Sequence, residues 1–167
     1  MRYIILLFLP FLGIYFQSTL FRAYSIKGTV PDVVLVFVIF YALFSNEKKG
    51  AVYGVFCGLI EDLYIGRYIG ISALSKAITA YVVGRLQGNV FKENIVVGII
   101  AVMIGTVVNS LVFLLLASIK FQTLGSLNNV LSDILYQAVY NMIITVPMYI
   151  WFYRSLRRGL LRETGDD

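Results

Sequence analysis

The stretch from Ile95 to Ile119 runs for 25 residues without a single charged side chain. Wound as a helix at 1.5 Å per residue it is about 37 Å long, which exceeds the ~30 Å hydrocarbon core of a bilayer. It therefore reads as a membrane span. The rest of the chain fits the same solvent: of 167 residues 59% are hydrophobic and only 14% charged, against roughly 25% charged in soluble domains. Six spans of ~20 residues would use about 120 residues and leave about 47 for every loop and terminus. A soluble catalytic domain has no room.

The inventory removes further chemistry. No histidine is present, which excludes Ser-His or Cys-His nucleophilic catalysis and His-ligated metal. Cys57 is the only cysteine, so no intramolecular disulfide is available and no redox compartment is implied. The net charge of +5 is spread between apolar blocks and forms no patch of the kind nucleic acid requires. No cofactor or metal is implied.

Hydropathy divides the single membrane domain, 1–167, into six spans at about 3–20, 30–45, 50–65, 71–87, 95–119 and 130–153. The expected fold is an all-α polytopic membrane protein with about six transmembrane helices in one bundle. The first block lacks a small-x-small cleavage site and reads as a retained helix, not a signal peptide. In the second block, Pro31 and Asp32 are expected in the first turn, where proline and an acid both suit a helix N-terminus. The third block is short and ends at Glu61 and Asp62, so it reads as either a short span or a re-entrant segment. Pro147 falls inside the sixth.

Lysine and arginine orient the chain. With the N-terminus inside, nine lie on the cytoplasmic side (Arg2, Lys48, Lys49, Arg85, Lys92, Arg154, Arg157, Arg158, Arg162) and four outside (Arg22, Lys27, Arg67, Lys120), with Lys76 inside a helix. Both termini are thus expected in the cytoplasm.

Helices in lipid associate through close packing and hydrogen bonds, because lipid offers no hydrophobic drive. Gly50, Gly54, Gly58 and Asp62 recur every four residues and share one broad face. That face is either packed on the chain's own neighbours or docks a partner's helix. Asp62 reads as a cap on the turn that holds Gly66 and Gly70, with Lys76 or Arg67 available to pair with it; an ion relay is the other reading. In the sixth span Asn129, Asp133, Gln137, Asn141 and Thr145 form a polar stripe, which is expected to face the interior. Ala101, Gly105 and Asn109 on the fifth span complement it, as do Ser72, Ser75, Lys76 and Thr79 on the fourth. The stripe serves either as interhelical glue or as the wall of a small-molecule pocket.

Gln17-Ser18-Thr19 closing the first span, Pro31-Asp32 opening the second, the Gly50/Gly54/Gly58/Asp62 series, and Gly66 and Gly70 leading into the fourth occur in this order and spacing. Together they resemble the rod shape-determining MreD family. The resemblance implies a non-catalytic inner-membrane component of the bacterial cell-elongation machinery. It implies association with the single-span coiled-coil protein MreC and, indirectly, with the MreB filament system and the peptidoglycan polymerase and transpeptidase. It also implies a fold similar to the substrate-binding component of energy-coupling-factor vitamin transporters. A vitamin-binding transporter component is therefore the rival reading. An intramembrane aspartyl protease is a distant third, with Asp62 and Asp133 as its only pair.

Overall fold

The computed structural model describes residues 2–21, 23, 25, 28–66, 69–86, 95–121 and 127–158. The regular elements among them are all helical, without a β-strand. The helices are α1 (Arg2–Phe16), α2 (Val33–Phe44), α3 (Glu47–Ile65), α4 (Ile71–Leu86), α5 (Ile95–Phe121) and α6 (Leu127–Arg158). A π-helical turn, Gln17–Phe21, continues α1. Three of these are long and apolar enough to cross a membrane: α1 with its π turn, α5 and α6.

The helix at the centre is the shortest. Every residue of α2 from Val33 to Leu43 is buried, and α2 packs on each of the other five helices. Its sequence, VVLVFVIFYALF, is apolar on all sides, as befits a helix that never meets solvent. Pro31 lies just before the helix and not in its first turn as expected; Asp32 is the N-cap, its carboxylate accepting the Leu35 amide at 2.8 Å.

The longer helices present apolar stripes outward. Met103, Val107, Leu111, Leu115 and Ile119 on α5, and Leu131, Leu135, Val139 and Ile143 on α6, are exposed at four-residue spacing. Water would penalise such stripes, whereas hydrocarbon solvates them. The opposite face of each helix carries the polar residues: Thr106, Asn109 and Ser110 on α5 and Asn141 and Thr145 on α6 are buried. At the far end of α2, Phe40 and Phe44 pack on Tyr149 and Phe152 of α6 with ring centroids 5.7 to 6.0 Å apart.

The tightest pairing is between α3 and α4. A Cβ placed on Gly58 would lie 2.5 Å from the Ala73 amide nitrogen, and one on Gly54 2.7 Å from the Lys76 carbonyl oxygen. On α4 itself, a Cβ on Gly84 would reach Glu47 Cα at 2.7 Å. Gly50 faces α2 instead, 2.5 Å from Ala42 Cβ by the same construction. Of the two readings of the glycine series, packing on the chain's own neighbours is therefore the one this geometry supports: α2 and α4 fill the face, and a partner's helix has no backbone left to approach there.

Candidate functional site, a buried charge cluster beside a polar cavity

The α3–α4 turn is built by Asp62. Its Oδ2 accepts the amides of Gly70 at 2.8 Å and Ala73 at 3.2 Å, and its Oδ1 accepts that of Ser72 at 3.2 Å. One carboxylate thus satisfies three N–H groups at the start of α4, where the helix dipole also favours negative charge. Gly66 and Gly70 take φ of 70° and 98°, the left-handed region that glycine enters without penalty. Capping, as the sequence suggested, is the role of Asp62; pairing with Lys76 is not. Arg67 and the side chain of Asn129 lie outside the described residues.

Lys76 pairs elsewhere. Its ammonium lies 2.7 Å from Asp32 Oδ2 and 2.7 Å from Glu61 Oε2, with the three side chains only 3%, 8% and 11% exposed. The contact with Asp32 is a hydrogen bond. Glu61 Oε2 is equally close, so the one ammonium bridges the two acids. A single buried charge in a membrane is costly. Here helices α3 and α4 and the N-cap of α2 each contribute one, and the ammonium answers both acids.

A second network extends from the same Asp32. Its N–H donates to Asn141 Oδ1 at 2.8 Å, and Asn141 Nδ2 donates to Thr106 Oγ1 at 2.9 Å. Thr145 Oγ1 donates to the Asn141 carbonyl at 2.6 Å. Asp32 therefore connects α2 to α3 through Lys76, to α4 directly, and to α5 and α6 through Asn141. Further along the α6 stripe, Gln137 Oε1 accepts from Ser110 Oγ at 3.4 Å, a long bond, and Asp133 is exposed. Asn109 is buried, and its Oδ1 has no hydrogen-bond partner. On α4, Ser75 and Thr79 donate back to the carbonyls of Ser72 and Ser75, so they satisfy their own helix and do not join the network.

An open cavity of about 420 Å³ adjoins the cluster, lined by Asp32, Glu61, Lys76, Asn109, Asp133 and Gln137 among others. A second, of about 490 Å³, lies against Gln17, Ser18, Tyr64 and the other side of Glu61. Gln17 opens the π turn, and its Oε1 is buried without a partner. Asp62 belongs to neither cavity lining and is committed to the α4 amides, so it forms no facing pair with Asp133. Among the described residues no group of three His, Cys, Asp or Glu is placed to hold a metal ion.

The sequence model of the rod shape-determining protein MreD family matches residues 1–158. The chain belongs to the MreD family. Among MreD features expected from the sequence, Asp32, Asp62, Gly54, Gly58, Gly66 and Gly70 all serve to join helices in this fold. MreD is a family of shape-determining, structural proteins, and with its long apolar helices this member is a membrane protein. No curated protein and no solved structure matches the chain significantly.

Glu61 and Thr106 are the partners that sequence reasoning passed over. Glu61 sits three residues after Gly58, on the side of α3 that faces α4, and an intramembrane lysine demands a carboxylate within reach. That demand, applied to Lys76, is the signal that points to it.

Proposed function

We propose that this chain is a non-enzymatic scaffold of the bacterial cell-elongation machinery. It crosses the cytoplasmic membrane six times with both termini inside, and it docks a single-span coiled-coil protein of the MreC type. Membership of the MreD family carries this reading. Through that partner it supports the MreB filament system and the peptidoglycan polymerase and transpeptidase indirectly.

A docked helix needs an apolar surface not already used inside the chain. The outward sides of α1 and α3 offer one: Ile4, Leu7, Phe8 and Phe11 on α1 and Val52, Val55, Leu59 and Leu63 on α3 are exposed. Between them runs an open apolar groove of about 450 Å³ lined by Phe11, Tyr15, Ile60 and Leu63. The partner's span lies along this groove, with the Gly54 and Gly58 face acting beneath it by holding α3 upright against α4.

Cysteine cross-linking tests the docking. Cys57 is fully buried, so a cysteine introduced by Phe11→Cys or Leu63→Cys is the only accessible thiol among the described residues. It is expected to cross-link to cysteines placed in the span of a coexpressed MreC-type protein, while Leu115→Cys on α5 does not. Equal cross-linking at both faces, or none at the groove, contradicts the docking. Loss of rod shape on depletion, rescued by the intact gene, tests the cellular role separately.

A further inference from the structure

We propose that the cavity of about 420 Å³ between the Gly28–Val30 segment and helices α3 to α6 is a binding site for a ligand carrying a primary ammonium group. Its volume falls within the range of small-molecule sites, roughly 300–1,000 Å³. Its described lining carries three carboxylates, Asp32, Glu61 and Asp133, against the single ammonium of Lys76. Lys76 already answers two of them, and Asp133 has no ion pair among the described residues. An anion is repelled from such a site and a cation is drawn to it.

The hydrogen-bonding balance narrows the cation. Asn109 is 6% exposed, and its carbonyl oxygen has no donor. Glu61, 9% exposed, is held 2.7 Å from the Lys76 ammonium, so the oxygen of Asn109 is the one left open. An acceptor without a donor stands beside an excess of negative charge, and a primary ammonium answers both with its positive charge and three N–H donors. A quaternary ammonium brings none. Phe113, Leu114 and Ile134 supply an apolar wall for a short alkyl portion.

The same head group occurs on an ethanolamine phospholipid and on a free alkylamine, and the test separates them. The full chain, purified in maltoside detergent, is followed by native mass spectrometry and thermal unfolding with phosphatidylethanolamine, phosphatidylglycerol or hexylamine added. Retention of phosphatidylethanolamine over phosphatidylglycerol is expected. Asp133→Lys reverses an exposed charge, and it is expected to weaken that retention about tenfold, the scale of one charge-assisted contact, with the unfolding temperature of the lipid-free protein reporting whether the fold is kept. Asn109→Leu should weaken it as well without lowering the unfolding temperature of the lipid-free protein. Retention of hexylamine assigns the site to soluble amines, and retention of the lipid alone assigns it to the membrane; each supports the proposal. Equal retention of both lipids, no retention of either amine, or an Asp133→Lys protein that retains phosphatidylethanolamine as well as the parent overturns it.

Discussion

Gly58 and Ala73 meet backbone to backbone: a methyl group on the glycine would lie 2.5 Å from the Ala73 nitrogen. No side chain stands between α3 and α4 at this point to rotate away. Gly58→Ala is therefore expected to lower stability by about 1–3 kcal/mol or more, the range of overpacked cores. Val52→Ala on the outward face of the same helix should fall within about 0.5 kcal/mol. Thermal unfolding in detergent checks both. A Gly54→Leu, Gly58→Leu protein would lose any partner through separation of α3 from α4, so copurification of that variant does not distinguish docking from folding.

Lys76 is the only cation placed against Asp32 and Glu61 among the described residues. Lys76→Met leaves two buried carboxylates facing each other, and truncating one partner of a buried pair costs about 3–5 kcal/mol. Adding Glu61→Gln to it should restore part of the loss, because one of the stranded charges is then gone. Unfolding of the single and double variants measures the coupling. Strict additivity of the two losses would contradict a shared cluster.

Asp62→Asn keeps the shape of the side chain and removes its charge. The three α4 amides then share one weaker acceptor, and bonds to a charged group contribute about 1.5–3 kcal/mol against about 1 for neutral ones. Hydrogen exchange of the Gly70, Ser72 and Ala73 amides is expected to quicken, while exchange at the middle of α5 does not. Unchanged protection at these three amides would show that the carboxylate is dispensable.

Asn141 supplies both an acceptor for the Asp32 amide and a donor for Thr106. Asn141→Leu strands a buried N–H, a loss of about 1–3 kcal/mol. Asn109→Leu on the neighbouring helix removes an oxygen that has no partner, so it should be neutral or stabilising in detergent. The contrast between two buried asparagines is read by their unfolding temperatures side by side.

The helices were legible because lipid imposes a simple rule: a long uncharged run such as Ile95 to Ile119 has few other fates. The positions of Asp62, Gly66 and Gly70 at a turn were legible too, since local spacing alone brings a carboxylate to the amides that follow. Layering was not. The Val33–Phe44 segment has the same apolar character as a lipid-facing helix, and only its contacts with the five other helices reveal that it is the core. Pairing across long separations was equally hidden. Lys76 and Asp32 are 44 residues apart, and nothing in either neighbourhood says that the lysine will reach Asp32.

The bond from the Asp32 amide to Asn141 closes a loop of 109 residues. A chain emerging from the ribosome makes α2 second and α6 last, so for most of synthesis the central helix waits without the α6 side-chain amide that completes its first turn. The bundle is finished only when its final helix arrives. A nascent or truncated chain that stops before Asn141 thus displays an unsatisfied Asp32 amide and an open core within the membrane, a chemical mark of incompleteness that membrane quality-control proteases are suited to recognise.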